Sequence, residues 1–220
     1  MVNRERVSIG WEGSSNQTQT YRDGVEYVQR VQLLLPEVQM VDVMENVRDR
    51  VLICNWIGKQ IEAVNSSLQV HLNACHDCFD FRDRKSVNIC AVPFSSSVQL
   101  DGFCNIDTTP TTILVDVGRV APGDWLALVA HEYAHAHLGY PGHDRSYAEV
   151  LGHLCLGLGF PQPPVIPVDR SLHYWPMYSP SIDPLAWWRG GVGDWETGSI
   201  LISPTHPHLI HFPKKIGAGN

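Results

Sequence analysis

Apolar residues in the first third of the chain recur at helical spacing in two segments. From Tyr21 onwards they follow a period near 3.6 residues, which Pro36 ends. A second segment carries a similar stripe up to the polar run at 65–67. The pattern predicts two amphipathic helices, preceded by a polar arm or loosely packed edge in the first twenty residues. The stripes consist of Val25, Val28, Val31 and Leu34, and then of Val51, Leu52, Cys54, Ile57, Ile61 and Val64.

The middle of the chain carries short runs of β-branched residues. The runs SVNICAVPF (86–94) and TTILVDVGRV (111–120) are bounded by proline, glycine and aspartate, which indicates two strands. The intervening stretch SSSVQLDGFCNID is typical of turns and leaves room for one short strand.

Two more helices are predicted after these strands. In APGDWLALVAHEYAHAHLG, Asp124 can cap the start of a helix and Gly139 stands where a helix C terminus favours glycine. After a turn at Tyr140-Pro141-Gly142, the next helix is expected to begin near Asp144 and to run through RSYAEVLGHLCLGLG. The predicted order is therefore strand, helix, tight turn and helix.

Residues 161–220 are rich in proline and tryptophan. Proline excludes long regular elements, whereas tryptophan side chains need an apolar surface to lie against. The tryptophans are Trp175, Trp187, Trp188 and Trp195. We therefore predict an α+β fold in which residues 1–160 form one domain with a small β-sheet. The segment 161–220 would pack on that domain as one wall of a cleft or as a lid.

The charge balance restricts the classes of partner. Sixteen basic and 23 acidic residues give a net charge of −7, which disfavours binding to nucleic acid through phosphate neutralisation. No apolar stretch reaches the length needed to cross a bilayer, and MVNRERVSIGWEG lacks the apolar core of a signal peptide. The expectation is a cytoplasmic protein without nucleic-acid or membrane partners.

The six cysteines do not indicate a disulfide framework, because a core of this size can hold itself together without one. Cys155 lies in an apolar helical run and is predicted to be buried packing. Cys75 and Cys78 form a CxxC, but Cys90 and Cys104 do not supply a second tight pair, so disulfides or unpaired thiols are favoured over a structural zinc site. A redox site would need a CxxC that opens a helix after a strand, which HDCFDFRDR does not indicate.

The segment HEYAHAHLGYPGHD (131–144) carries the strongest chemical pattern. His131 and His135 stand four residues apart on a predicted helix, so both imidazoles can reach one zinc ion from the same face. Glu132 would lie beside the metal, where it can take a proton from zinc-activated water and pass it to the leaving group. We predict a Zn²⁺ site with His131 and His135 as ligands and Glu132 as general base and acid.

The surrounding sequence supports this interpretation. The helix begins with WLALVA, which indicates a buried face, and burying two histidines and a glutamate is costly unless a metal or hydrogen bonds satisfy them. The preceding strand, 111–120, would form the rim along which an extended substrate could pair.

A histidine helix of this kind after such a strand resembles the zincin metallopeptidases. The resemblance spans Thr111 to Gly159 and implies a zincin-like core within residues 1–160. The metzincin pattern HExxHxxGxxH is not met, because Leu138 stands where its glycine would be and Pro141 where its last histidine would be.

The resemblance implies His143 as third ligand. Its setting is similar to the SprT-like small zincins, in which a third histidine opens a helix and is followed by a small or polar residue, two further residues and an aromatic residue. His143, Asp144 and Tyr147 match this form. The glycines at 139 and 142 also permit the sharp reversal that would return His143 to the metal.

Glu149 is the alternative third ligand. With His153 it forms a Glu-xxx-His pair that resembles the gluzincin arrangement, although only thirteen residues separate His135 from Glu149. If His143 is the ligand, Glu149 and His153 are expected to orient the ligand imidazoles.

Other polar residues are assigned more modest roles. His137 should point away from the metal. Tyr140, Tyr147 and Tyr174 are candidates for oxyanion stabilisation, although packing is the simpler role for each. A second metal site could be formed by His206, His208 and His211, although a solvated tail is the simpler interpretation.

The expected function is a zinc-dependent metallopeptidase that acts on a protein or peptide substrate. The alternatives are a non-peptidase zinc amidohydrolase and a metal-binding module on a zincin scaffold. Glu132 favours catalysis, because a structural zinc site needs no base and usually fills all four positions with protein ligands.

Overall fold

The computed structural model describes residues 12–164, 172–181 and 183–191. Within these ranges the fold is mixed α and β, as predicted, with five α-helices and one three-stranded sheet. The helices are α1 (Glu12–Gln32), α2 (Val47–Asp77), α3 (Trp125–Leu138), α4 (Arg145–Leu158) and α5 (Pro184–Trp188). The strands are β1 (Val87–Ala91), β2 (Gly102–Asn105) and β3 (Thr111–Val115).

Helices α1 and α2 pack closely along their length. The contact relies on a glycine from each helix: a Cβ atom on Gly24 would collide with the backbone of Cys54, and one on Gly58 would collide with the backbone of Thr20. The predicted polar arm is wrong for residues 12–20, which belong to α1. Residues 16–19 in this first part of the helix are exposed, which agrees with their polar sequence.

Helix α2 is ten residues longer than the predicted stop at 65–67. The Ser66 hydroxyl donates to the carbonyl of Glu62 at 2.8 Å within the helix. It therefore has a hydrogen-bond partner without a turn in the backbone. Asn65 accepts from the backbone N–H of Ala91 at 2.9 Å and binds α2 to β1. Polar residues that resemble a helix stop are used here for contacts that leave the helix intact.

The sheet has the order β1-β3-β2, with β1 parallel and β2 antiparallel to β3. The two predicted strands and the short strand between them are present, although β1 ends at Ala91 and β3 at Val115, before the ends of the predicted runs. The expectation that 111–120 forms a substrate rim is wrong, because β3 is the central strand and pairs on both sides. Strand β2 forms the edge of the sheet next to α3.

Helices α3 and α4 end as their sequences predict. Gly139 and Gly159 adopt left-handed backbone conformations with φ of 66° and 77°. The Asp144 side chain caps α4 by accepting from the N–H of Tyr147 at 3.1 Å. Asp124 precedes α3 but does not cap it with its side chain, which accepts from the N–H of Ser179 at 2.9 Å instead.

The described residues beyond 161 lie against the domain. Leu172, Trp187 and Trp188 are buried, and the Trp188 indole donates to the buried carboxylate of Asp116 at 2.7 Å. That carboxylate also accepts from the N–H groups of Phe94 and Gly118 and from Nε of Arg119. Trp195 and His206, His208 and His211 lie outside the described residues. Each described helix is too short or too polar to cross a bilayer.

Candidate metal centre

Three histidines converge where α3 faces the loop before α4. His131 and His135 project from one face of α3 and are 7% and 6% exposed, and His143 lies in the loop 139–144. One ligand atom from each residue lies within 4.8 Å of the others, and Nε2 of His131 is 3.2 Å from Nε2 of His143. The three residues are therefore close enough to hold a metal ion.

The position of His143 follows from the local backbone. The left-handed Gly139 ends α3 and turns the chain, and the Asp144 cap fixes the start of α4. His143 is thus held between two helix ends, a short distance beyond the last turn of α3. This is the reversal that the glycines at 139 and 142 predicted.

Three acceptors orient the two helix histidines. Nδ1 of His135 lies 3.0 Å from the backbone carbonyl of Tyr140. Nδ1 of His131 lies 2.9 Å from the carbonyl of Trp175 and 2.8 Å from the hydroxyl of Tyr147. The Tyr147 hydroxyl is also 3.2 Å from the His131 carbonyl, to which it donates, so its oxygen can accept from Nδ1. Hydrogens on both Nδ1 atoms leave both Nε2 atoms free to bind a metal.

Burial keeps both helix histidines neutral. It lowers the pKa of His131 to about 3 and that of His135 to about 4, and the neighbouring histidines contribute in the same direction. A protonated imidazole cannot bind a metal, so a depressed pKa keeps the ligands available at neutral and mildly acidic pH.

Glu132 lies in a buried space between α3 and β2. Burial raises the pKa of its carboxyl group to about 8, the Asp101 charge raises it further, and a backbone hydrogen bond from Cys104 lowers it. A Cβ atom on Gly102 would stand only 2.6 Å from Oε1 of Glu132. The carboxyl group therefore occupies space that only a glycine at this position of β2 leaves open.

Glu149 and His153 lie away from the three histidines. The Glu149 carboxylate pairs with Nε of Arg145 at 3.0 Å, and its side chain is 67% exposed. Nε2 of His153 is 2.6 Å from the carbonyl of Cys78. The expectation that these two residues orient the ligands is wrong, because Tyr147 and two backbone carbonyls do so instead.

The structure also shows the surroundings of His137 and of the three tyrosines that were candidates for oxyanion stabilisation. His137 stacks on Phe79, with ring centroids 4.2 Å apart, and does not belong to the histidine cluster. Tyr140 and Tyr174 are 47% and 64% exposed, whereas Tyr147 is fully buried and stacks on His135 at 4.5 Å.

Two features of the site have no counterpart in the local sequence pattern. The Trp175 carbonyl that orients His131 is a backbone group, which no residue pattern reveals. His173, two residues earlier, lies with its ring centroid 5.2 Å from that of His143. Only the position of the segment 172–181 in the fold brings these groups to the cluster.

The cysteines are six free thiols, and none forms a metal-binding group within the described residues. Cys155 is buried, as predicted. Cys75 and Cys78 lie at the end of α2, not at the start of a helix, and burial raises the pKa of Cys78 to about 11. A thiol that stays protonated at neutral pH is a poor nucleophile, which argues against a redox site.

Comparisons with known proteins do not add to this description. No protein-family model matches the chain, and neither the curated proteins nor the solved structures give a match.

Proposed function

We propose that this protein is a zinc-dependent hydrolase that cleaves peptide bonds, with His131, His135 and His143 as zinc ligands and Glu132 as general base. The observation that carries the proposal is a cluster of three histidines, two of them held neutral and aimed by their Nδ1 hydrogen bonds, with the buried Glu132 next to His131 in the chain. On this proposal Glu149 is not a ligand.

The donor set suits zinc. Zinc in proteins prefers tetrahedral nitrogen and sulfur ligands at about 2.0–2.1 Å, which would place two bound nitrogens about 3.3 Å apart. Nε2 of His131 and Nε2 of His143 are separated by 3.2 Å. A site with three protein ligands is also typical of catalytic zinc, which keeps one position for water or substrate.

Zinc, when bound, would lower the pKa of water and polarise a substrate carbonyl. Glu132 would take the proton from the attacking water and deliver it to the leaving nitrogen. The buried carboxyl group has a raised pKa of about 8 without metal, so it can hold a proton during this transfer. A nearby cation would favour the ionised form that the first step needs.

The edge of β2 supports a peptide as substrate. One side of β2 pairs with β3, and no strand among the described residues pairs with its other side. Gly102 and Cys104 of β2 contact the carboxyl group of Glu132. An extended chain that pairs with this edge would place one of its amide bonds near Glu132.

The metal assignment is tested by metal analysis of the purified protein beside three variants. We expect about one zinc per chain in the wild type and in Glu132→Gln, because the glutamate is not a ligand. His143→Ala should weaken zinc binding strongly, whereas Glu149→Gln should leave it unchanged. Absence of zinc from the wild type, or its loss only in Glu149→Gln, would refute the ligand assignment.

Cleavage is tested with fluorescently labelled casein and a labelled small amide. The wild type should cleave casein, and Glu132→Gln should lose this activity while it retains zinc. Cleavage of the small amide alone would identify an amidohydrolase. Zinc binding without either activity would identify a metal-binding module and contradict the proposal.

A further inference from the structure

We propose that His173 is a further catalytic residue, which donates a hydrogen bond to the carbonyl oxygen of the substrate as negative charge develops there. This inference rests on the proposed function. Its basis is the position of the His173 ring beside the three proposed ligands, on the segment 172–181.

The ring geometry separates His173 from the ligands. The centroids of the three ligand rings lie 4.7–5.2 Å apart, close to the spacing of about 5 Å that tetrahedral zinc with nitrogen ligands at 2.0–2.1 Å would impose. His173 is 5.2 Å from His143 but 6.4 Å from His131, and it does not belong to the group whose ligand atoms lie within 4.8 Å of one another. It therefore borders the cluster without joining it.

The backbone holds His173 in this position from both sides. Leu172 is fully buried. The N–H of Trp175 donates to the Leu172 carbonyl at 3.1 Å, and the carbonyl of Trp175 lies 2.9 Å from Nδ1 of His131. Leu172, which anchors the segment, thus precedes His173 in the chain, and Trp175, which orients His131, follows it.

The exposure of His173 suits a residue that meets substrate. Its side chain is exposed, whereas Tyr147, the other polar ring beside the ligands, is fully buried with its hydroxyl bound to His131. A donor aimed at a developing oxyanion stabilises the transition state more than the ground state. The His173 ring is exposed and borders the ligand cluster, so its imidazole N–H can supply that donor.

The test compares His173→Ala, His173→Gln and a control on the same segment, Met177→Ala, whose side chain is 77% exposed. For each variant we would measure zinc affinity by competition with a chelator, acetohydroxamate binding by calorimetry, and kcat and KM on labelled casein.

His173→Ala should keep zinc affinity within about twofold, bind acetohydroxamate about tenfold more weakly and lower kcat about 100-fold with little change in KM. His173→Gln retains an N–H donor and should recover part of kcat, and Met177→Ala should behave as the wild type. A tenfold loss of zinc affinity in His173→Ala would make His173 a ligand and overturn the proposal. Unchanged acetohydroxamate binding and kcat would overturn it as well, with the proposed function intact. A wild type that neither binds zinc nor cleaves casein would instead refute the proposed function.

Discussion

Gly102 of β2 and Glu132 of α3 are in such close contact that a methyl group on the glycine would stand 2.6 Å from a carboxylate oxygen. The sheet edge therefore determines where the proposed general base can lie. Because the three atoms that the methyl group would crowd, Oε1, Cγ and Cδ, all belong to the Glu132 side chain and none to the backbone, an added methyl group should displace the carboxyl group without unfolding the sheet.

Gly102→Ala is therefore expected to lower kcat on casein at least tenfold, with zinc binding and melting temperature close to those of the wild type. Gly123→Ala is the matched control, because a Cβ atom there meets nothing within 4 Å. Equal activity of the two variants would show that the position of Glu132 does not limit catalysis.

Tyr147→Phe should weaken zinc binding about tenfold, because it removes the hydroxyl next to Nδ1 of His131 and leaves the ring that stacks on His135. Tyr140→Phe serves as the comparison, since the side chain of Tyr140 is exposed and only its backbone carbonyl orients a ligand. Zinc affinity measured by chelator competition would decide the matter: no difference between the two variants would exclude an orienting role for Tyr147.

Asp116→Asn should lower the free energy of unfolding by about 3 kcal/mol, because each carboxylate oxygen accepts two hydrogen bonds and an amide would replace one of these oxygens by an NH2 group, leaving two donors without an acceptor. Chemical denaturation followed by tryptophan fluorescence would measure the loss. Asp107→Asn, at an exposed site, should have almost no effect. A similar small effect at both sites would mean that this carboxylate does not hold the segment 183–191 to the sheet.

His71 lies in α2 with neither ring nitrogen hydrogen-bonded within the described part of the chain. Burial lowers its pKa below the ordinary value near 6.5. The folded state therefore binds fewer protons than the unfolded state below pH 6.5, so this group lowers stability as the pH falls through that value.

His71→Leu should therefore stabilise the metal-free protein by roughly 1–3 kcal/mol at pH 8, where it removes unsatisfied polar atoms. The gain should be larger at pH 5.5, because there the substitution also removes a histidine that binds a proton more readily in the unfolded state. Urea unfolding at both pH values would measure this difference. Asn73→Leu, on the exposed side of the same helix, should show no such pH dependence. A gain for His71→Leu that does not vary with pH would contradict the assigned cause.

The sequence predicts the part of the site that depends on local structure. The four-residue spacing on α3, the left-handed Gly139 and the cap at Asp144 are local rules, and together they place His131, His135 and His143. Helix α4 and the buried Cys155 follow from the same kind of pattern.

Features that depend on tertiary contacts could not be predicted. The central position of β3 depends on which strands pair with it, and two short runs do not encode that order. Asn65 and Ser66 resemble a helix stop until their partners are known. His173 and the Trp175 carbonyl reach the ligands only because the segment 172–181 lies on that face of the domain.

The bond between the Trp175 carbonyl and His131 also has a consequence for biosynthesis. A growing polypeptide completes α3 long before it reaches residue 175, and until then His131 lacks one of the acceptors that hold its ring. A partly made chain would therefore contain the three histidines before His131 is fully oriented. If the protein cleaves peptides, full activity would begin only after synthesis has passed residue 175.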